Sequence, residues 1–229
     1  QTGPELRGFT LVVFVHNLIT SVGSAVMLVG ILHALASGLS HYPLGTAGWF
    51  GLFCDDSELL LDGTKAGSTL GYWSYIYYLS KFYEMADTVV LALKKKPLEF
   101  LQMYHHASIV MLCWSWLNGG WTLHWYGMVC NTAVHTFMYY YFAQQTLKRR
   151  VWWKKYLTMG QLVQFSTVFL VIVVWSFKVG VDGEHCAGST TEGGIATVAF
   201  AQFVNVNYLF LFGSMFVRAY YPPASKKGA

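Results

Sequence analysis

Long apolar stretches alternate with short polar segments along the whole chain. Six of these stretches approach the roughly 20 residues that an α-helix needs to cross a bilayer. They lie at residues 9–35, 69–93, 98–117, 121–144, 156–178 and 195–217. A helix satisfies all of its own backbone hydrogen bonds in lipid. The pattern therefore predicts an all-α fold, a polytopic transmembrane helix bundle of six spans that forms one domain over residues 1–229.

The composition favours the same fold class. Hydrophobic residues make up 55% of the chain and charged residues 11%, whereas a soluble domain carries about 25% charged residues. A soluble helical protein is the alternative, but the polar linkers are too few to coat a surface that faces water. No basic segment alternates with stacking aromatic residues in a soluble domain, so we expect the lipid bilayer and not nucleic acid as a partner.

The charged residues in the linkers predict an orientation. Basic residues cluster at 94–96, 148–155 and 218–227, and acidic residues cluster at 55–62 and 182–192. The two sets alternate from one linker to the next, and positive residues favour the cytosolic side of a membrane. Both ends of this chain are therefore expected in the cytosol, with the acidic linkers on the opposite side.

Two of the four cysteines fall in the acidic linkers. Cys54 and Cys186 are predicted on the non-cytosolic side, where an oxidising compartment allows thiols to pair. Two unrelated free thiols are the alternative. The other two cysteines, Cys113 and Cys130, lie inside predicted spans. We expect a disulfide bond between Cys54 and Cys186.

The second span carries four polar residues that are costly in hydrocarbon. They are Lys81, Glu84, Asp87 and Thr88, and an ionisable group at the bilayer centre costs roughly 2.5–3.5 kcal/mol on insertion scales. A helix turns about 100° per residue, which places all four on one stripe and puts Lys81 within reach of Glu84. The stripe predicts a functional site. An ion pair that only locks neighbouring helices is the alternative.

Three further spans carry polar groups at a similar depth. These are Gln102, His105 and His106 in the third span, Asn131, His135, Met138, Tyr139 and Tyr141 in the fourth, and Thr158, Gln161 and Gln164 in the fifth. Counting about 1.5 Å of rise per residue from the cytosolic end of each span brings them to one level. We interpret His16 and His33 in the first span as helix–helix hydrogen-bonding groups outside this cluster, and His124 as lying near the opposite end of its span.

A polar cluster in the cytosolic half of an apolar bundle suits an amphipathic substrate. Its polar head would stay at the basic mouth, which attracts an anionic group such as coenzyme A. Its acyl tail would extend toward the side of the acidic linkers.

Four motifs in this region resemble those of one family. Residues 81–88, KFYEMADT, resemble the KxxExxDT motif of the ELO family, the elongases of very-long-chain fatty acids. Residues 102–106, QMYHH, resemble its HxxHH box, with Gln102 in place of the first histidine. Asn131 with residues 135–141, HTFMYYY, resembles its N…HxxMYxYY segment, and residues 158–164, TMGQLVQ, resemble TxxQxxQ.

The resemblance implies a fold and an activity. The family has a seven-span fold that encloses a substrate tunnel, so we expect the first span to be missing from this chain. The implied enzyme is a very-long-chain 3-oxoacyl-CoA synthase, which condenses an acyl-CoA with malonyl-CoA to give 3-ketoacyl-CoA, CO2 and CoA. No cofactor and no metal ion are expected. Gln102 resembles family members that act on polyunsaturated acyl chains.

The resemblance also implies a location. The carboxyl-terminal residues 226–229, KKGA, resemble the dilysine retrieval signal of the endoplasmic reticulum, which requires a cytosolic tail. The loop charges predict such a tail independently. Other enzymes of the elongation cycle are candidate partners.

A condensing enzyme must activate a thioester carbonyl, and imidazole chemistry is the predicted route because both span cysteines lie away from the cluster. We expect His105 to form an acyl-imidazole, with His106 and His135 as acid–base or oxyanion partners. The other cluster residues are expected to orient these rings, brace the site or contact substrate: Gln102, Asn131, Gln161, Gln164, Lys81, Glu84, Asp87, Thr88, Met138, Tyr139, Tyr141 and Thr158.

Two other functions are weighed against this one. A membrane di-iron desaturase or hydroxylase also carries adjacent histidines, but it needs many imidazoles to hold two irons and only three reach the cluster here. A transporter also places polar residues near the midplane, but the chain shows no inverted repeat and no pair of helices broken by Gly or Pro.

Overall fold

The computed structural model describes residues 4–39, 52–54, 69–121, 123–181, 186 and 192–221. Its helices are α1 (Pro4–Leu39), α2 (Leu70–Glu84), α3 (Ala86–Leu93), α4 (Phe100–Gly119), α5 (His124–Thr146), α6 (Lys154–Val181) and α7 (Glu192–Tyr220). Residues 52–54 add one helical turn, and no strand occurs within these ranges. Since α2 and α3 together occupy the second predicted span, six helical rods stand where the apolar pattern placed six spans. The all-α prediction is confirmed.

Three of the rods are long and apolar enough to cross a membrane by themselves. They are Gly8–Gly38, Lys154–Gly180 and Gly193–Tyr220, with mean hydropathies of 2.0, 2.0 and 1.6. The other rods contain most of the polar cluster, which lowers their mean hydropathy. The chain is therefore a polytopic membrane protein in which the more polar helices carry the candidate chemistry.

The six rods form a closed ring. Helix α1 packs on α5, α5 on α6, α6 on α7, α7 on α4, α4 on α2, and α2 returns to α1. Close approach between α1 and α2 depends on Gly30, because a Cβ atom there would clash with the Trp73 ring. The ring leaves an interior that is bounded by every rod, and this interior contains the candidate site.

One end of the ring is defined by the two basic turns at residues 94–96 and 148–150, and is called the basic end. Helices α3 and α5 both end there with a lysine in the left-handed region, Lys95 at φ 52° and Lys148 at φ 57°. Each turn is closed by a bond across the helix end, from Lys96 N–H to the Leu91 carbonyl and from Arg149 N–H to the Gln144 carbonyl, both 3.0 Å. The two turns thus present their lysines at the same end.

The opposite end is held by the disulfide bond between Cys54 and Cys186, and is called the disulfide end. This bond joins residues that are 132 positions apart. The indole nitrogens of Trp125 and Trp175 donate to the carbonyls of Leu52 and Phe53 at 2.7 and 3.1 Å, which tie the short 52–54 turn to α5 and α6. The acidic clusters at 55–62 and 182–185 and the carboxyl-terminal KKGA lie outside the described residues.

The apolar pattern predicted one continuous helix for the second span, but the structure divides it into two. Helix α2 ends at Glu84 and α3 begins at Ala86, with Met85 between them. Met85 N–H bonds the Phe82 carbonyl at 3.2 Å, and Thr88 N–H bonds the Met85 carbonyl at 3.0 Å. These bonds to the third residue back tighten one turn. The break lies between Glu84 and Asp87, two residues of the predicted polar stripe.

Candidate active site within the helix ring

A cavity of about 1700 Å³, its opening included, occupies the basic end of the ring. Side chains from α1, α3, α4, α5, α6 and α7 line it, as do Lys94 of one basic turn and Lys154 at the start of α6. The predicted site residues that line it are Asp87, Gln102, His105, His106, Asn131, His135, Met138, Tyr139, Tyr141, Thr158, Gln161 and Gln164. The residues that were expected at a common depth therefore surround a common space.

Lys81 and Glu84 lie behind the cavity wall and are each only 1% exposed. Lys81 Nζ donates to Glu84 Oε1 at 2.7 Å and to Asn131 Oδ1 at 2.9 Å. A buried charge is costly unless a partner of opposite charge and further hydrogen bonds satisfy it. This ion pair meets that condition, and it connects α2 to α5.

The same network fixes the orientation of His135. Asn131 Oδ1 faces Lys81 Nζ, which only donates, and also accepts from the Tyr77 hydroxyl at 2.7 Å. The Asn131 amide nitrogen is therefore the atom 3.1 Å from His135 Nε2, which must accept. In a neutral ring the proton then sits on Nδ1, which lies 3.5 Å from a Glu84 oxygen. Both His135 nitrogens are turned toward protein groups.

His105 differs from His135 in this respect. Its ring is half-buried, and neither ring nitrogen has a hydrogen bond to any residue in the described ranges. Its centroid lies 5.6 Å from that of His106, 6.4 Å from that of His135 and 5.0 Å from that of Tyr208. The neighbouring His106 is buried, and its Nδ1 has no hydrogen-bond partner among the described residues. Three imidazoles thus meet on the cavity wall, and His105 has nitrogens available for a substrate.

Asp87 bonds partners other than the Lys81–Glu84 pair. Its two oxygens accept from His16 Nε2 at 2.9 Å and from the Tyr139 hydroxyl at 2.6 Å. These bonds connect α3 to α1 and to α5, one turn beyond the contact between Glu84 and His135. Thr88, the last residue of the predicted stripe, does not line the cavity.

The interpretation of His16 was right about a hydrogen bond between helices and wrong in placing the residue outside the cluster. The structure places it on the cavity wall, bonded to Asp87. A signal was present in the sequence, because His16 lies seven residues into a span that starts at the cytosolic end, or about 10 Å of helix rise. That is the depth predicted for His105. His33 on the same helix is exposed.

Helix α6 contributes amides to the far wall of the cavity. The Gln161 amide donates to Met138 Sδ at 3.4 Å, and Gln164 is buried. The Thr158 hydroxyl bonds the Lys154 carbonyl in its own helix at 3.3 Å. These side chains line the same cavity as the imidazoles, where an amide can donate to the carbonyl oxygen of a substrate.

A second, narrower cavity of about 620 Å³, its opening included, continues toward the disulfide end. It shares His105, Asn131, Gln164 and Phe165 with the first, so the two meet at the level of His105. Its other walls are mostly apolar or aromatic, with the polar side chains of His124 and Asn205 among them: Tyr77, Ile109, Leu112, Trp116, Trp121, Leu123, His124, Tyr126, Gly127, Val168, Val171, Ile172, Ala201, Val204, Asn205 and Tyr208. Sequence reasoning did not find most of these, because nothing distinguishes a cavity-facing aromatic from a lipid-facing one along the chain.

The geometry suits acyl transfer from a lipid-like substrate. A polar cavity at the basic end can hold a charged head, and the aromatic cavity can take an apolar tail, with an imidazole where they join. Within the ranges that the structure describes, no three His, Cys, Asp or Glu side chains are grouped as ligands for a metal ion.

Comparisons with known proteins agree with the motifs. Residues 4–228 match the family described as ELO: GNS1/SUR4 family. Fatty acid elongase sre1 of Dictyostelium discoideum is 34% identical over 221 residues, covering 96% of this chain and 75% of that protein. Very long chain fatty acid elongase 2 of Mus musculus is 33% identical over 169 residues, covering 70% of this chain and 52% of that protein. No solved structure matches this chain significantly.

The chain is shorter than these relatives. Another Dictyostelium discoideum protein is 38% identical over 206 residues, which cover 90% of this chain and 64% of its own length. The family match extends over nearly all of the present chain, and its four motifs assemble around one cavity. On these grounds the chain belongs to the ELO: GNS1/SUR4 family.

Proposed function

We propose that this protein is a membrane fatty-acid elongase that condenses an acyl-CoA with malonyl-CoA to give 3-ketoacyl-CoA, CO2 and free CoA. The observation that carries the proposal is the position of His105 at the junction of a polar cavity and an aromatic one. Family membership and the names of the relatives support the same reaction. The wider activity of the whole protein is part of this proposal, because the chain spans only 64% of one relative and 52% of another.

The substrate is assigned a direction by the two cavities. The CoA group occupies the basic end, where Lys94 and Lys154 attract its phosphates. The thioester carbonyl reaches His105, and the acyl chain continues into the aromatic cavity toward Trp116. This arrangement removes the reacting carbonyl from bulk water, which strengthens the electrostatic interactions that act on it.

The chemistry proceeds in two steps. A His105 nitrogen attacks the thioester carbonyl, the C–S bond breaks, and CoA leaves as a thiolate that takes one proton. Malonyl-CoA then loses CO2, and the resulting carbanion attacks the acyl carbon. The bond from that carbon to His105 breaks, which releases 3-ketoacyl-CoA and restores the imidazole. One proton is consumed in each turnover.

The other residues support these steps. His106 and the amides of Gln102 and Gln164 line the space beside His105 and can donate to the carbonyl oxygen as negative charge develops on it. The buried network of Lys81, Glu84, Asn131 and His135 holds the wall rigid. Tyr141, Met138, Gln161 and Thr158 border the volume assigned to the CoA arm.

The finer assignments are part of the same proposal. Polyunsaturated acyl chains are the proposed substrates, because Gln102 occupies the first position of the histidine box. The basic end faces the cytosol and the disulfide end the lumen of the endoplasmic reticulum, because basic loops favour the cytosol and disulfide bonds form in the lumen. Malonyl-CoA and acyl-CoA are substrates and no cofactor is assigned.

The test uses purified protein in detergent with radiolabelled malonyl-CoA and a panel of acyl-CoAs. The proposal expects two malonyl carbons in a 3-ketoacyl-CoA product, with unsaturated chains turned over faster than saturated chains of equal length. Product without a preference for unsaturated chains would refute the substrate class alone. No labelled acyl product from any member of the panel would refute the activity.

A further inference from the structure

The cluster around Asp87 contains an imidazole that the proposed mechanism does not yet use. His16 Nε2 lies 2.9 Å from Asp87 Oδ1, and the Tyr139 hydroxyl lies 2.6 Å from Asp87 Oδ2. His16 is 8% exposed and lines the same cavity as His105. It comes from α1, a helix that carries none of the four family motifs.

The hydrogen bond to Asp87 assigns a proton to Nε2 of His16. An ionised carboxylate only accepts, so Nε2 donates to Asp87 and carries a proton. In the neutral ring, Nδ1 is then the accepting nitrogen, and it has no hydrogen bond within the part of the chain that is described. A carboxylate on one nitrogen and a free lone pair on the other is the arrangement that lets an imidazole hold a transferable proton.

The groups that contact the His16 ring come from three other helices. The titratable side chains packed against its ring are Asp87 of α3, Tyr83 of α2 at a centroid distance of 5.0 Å and Tyr139 of α5 at 6.5 Å. The charged group in direct contact is the Asp87 carboxylate. His16 therefore has a carboxylate as its direct partner, whereas the His105 ring lies near two other imidazoles.

We propose that His16, paired with Asp87, supplies the proton that the condensation consumes. This inference rests on the proposed function. When the C–S bond of the acyl-CoA breaks, the thiolate sulfur takes the proton from His16 Nδ1 and leaves as CoA thiol. His16 returns to its neutral form with Nε2–H still on Asp87, and water entering from the basic end restores the Nδ1 proton.

A purely structural tie between α1 and α3 makes a different prediction. A glutamine at position 16 has an amide that can donate to Asp87 but cannot carry a proton to a thiolate. His16→Gln therefore preserves a tie and removes the proton donor. His33→Gln is the matched control, because His33 lies on the same helix and is exposed, away from the cavity.

The experiment compares steady-state kinetics of wild type, His16→Gln and His33→Gln in detergent, over a range of pH. General acid catalysis is worth about 100-fold or more, so His16→Gln should lower kcat by about 100-fold with little change in KM. Its pH–rate profile should also lose one ionisation that wild type shows. His33→Gln should retain both the rate and the profile.

The possible results distinguish failure of the proposed condensation activity from failure of the role assigned to His16. An inactive wild type would overturn the proposed function. An active wild type with a His16→Gln variant of equal kcat and unchanged pH profile would overturn the role of His16 alone. If His16→Gln does not accumulate as folded protein, His16→Asn, whose shorter amide fills less volume, is judged by the same two readouts.

Discussion

His124 and His105 both line the interior of the ring, and they differ in the hydrogen bonds that their ring nitrogens make. His124, near the disulfide end, bonds the Ser74 hydroxyl at 2.7 Å through Nε2 and the Trp121 carbonyl at 2.5 Å through Nδ1. His105, at the junction of the two cavities, has neither nitrogen bonded within the described residues. Both rings have aromatic neighbours, but His105 also lies beside His106 and His135.

The comparison shows that a histidine inside a membrane helix is not by itself a sign of catalysis. The ring of His124 is stacked 5.5 Å from that of Trp116 and has used its hydrogen-bonding capacity on the protein. It offers the cavity an aromatic face, which suits an acyl tail. His105 offers a nitrogen lone pair, which suits a carbonyl carbon. The same type of side chain thus has both nitrogens bonded to the protein near the disulfide end and neither bonded to a described residue at the junction of the cavities.

Removing the His105 imidazole should have the largest effect on the rate of condensation. His105→Ala should lower the rate of condensation by at least about 1000-fold, because it removes the group that carries the acyl chain. The protein should remain folded, since His105 side-chain nitrogens hold no other described residue. Radiolabelled malonyl-CoA incorporation measures the rate, and gel filtration in detergent checks the fold. Wild-type-like turnover in this variant would refute the assignment.

The next effect concerns the network that positions the imidazoles. Glu84→Gln leaves the Lys81 ammonium buried without a carboxylate, and should lower the free energy of unfolding by about 3–5 kcal/mol. Denaturant titration in detergent measures this. The double variant Lys81→Met/Glu84→Gln removes the unpaired charge and should recover part of the loss. A double variant that is less stable than Glu84→Gln would contradict the explanation.

A smaller effect is expected at the structural histidine. His124→Ala leaves the Trp121 carbonyl without its imidazole donor, which should cost about 1–3 kcal/mol of unfolding free energy. Its kcat should fall far less than that of His105→Ala, because His124 borders the cavity assigned to the tail and not the reacting carbonyl. Unfolding and turnover measured on the same preparation make the test. Loss of turnover in His124→Ala without loss of stability would erase the distinction between the two ends.

The smallest effect sharpens the assignment of the aromatic cavity. Trp116 is buried against His124 and Tyr77 at the far side of that cavity. Trp116→Leu enlarges the space available to the tail, so the longest product should gain about one two-carbon unit while the rate on shorter substrates changes little. Product chain lengths are read by mass spectrometry. An unchanged length distribution would mean that the tail lies elsewhere.

The rods and much of the site follow from simple properties of the chain. Apolar length gives the six rods, and helical rise places His105, His135 and Gln161 at one depth, where the structure puts them on one cavity. The pairing of Lys81 with Glu84 follows from their spacing on a helix and from the cost of leaving either charge alone in hydrocarbon.

Other features depend on contacts that the linear sequence does not reveal. The neighbours in the ring include α1 with α5 and α4 with α7, which are distant along the chain. The break at Met85 involves no Gly or Pro, so no local residue signals it. The sequence suggested an interhelical hydrogen bond for His16 but not its partner, because Asp87 lies on another helix, 71 residues away.

The acyl-enzyme itself provides the most direct test that His105 carries the acyl chain. Purified protein is incubated with an acyl-CoA in the absence of malonyl-CoA, quenched rapidly and mapped by peptide mass spectrometry, while released CoA is counted. We predict an acyl group on the peptide that contains residue 105, at the imidazole of His105, with one CoA released for each acyl group bound and loss of the adduct when malonyl-CoA is added. An acyl group on another residue, or CoA released only when malonyl-CoA is present, would contradict it.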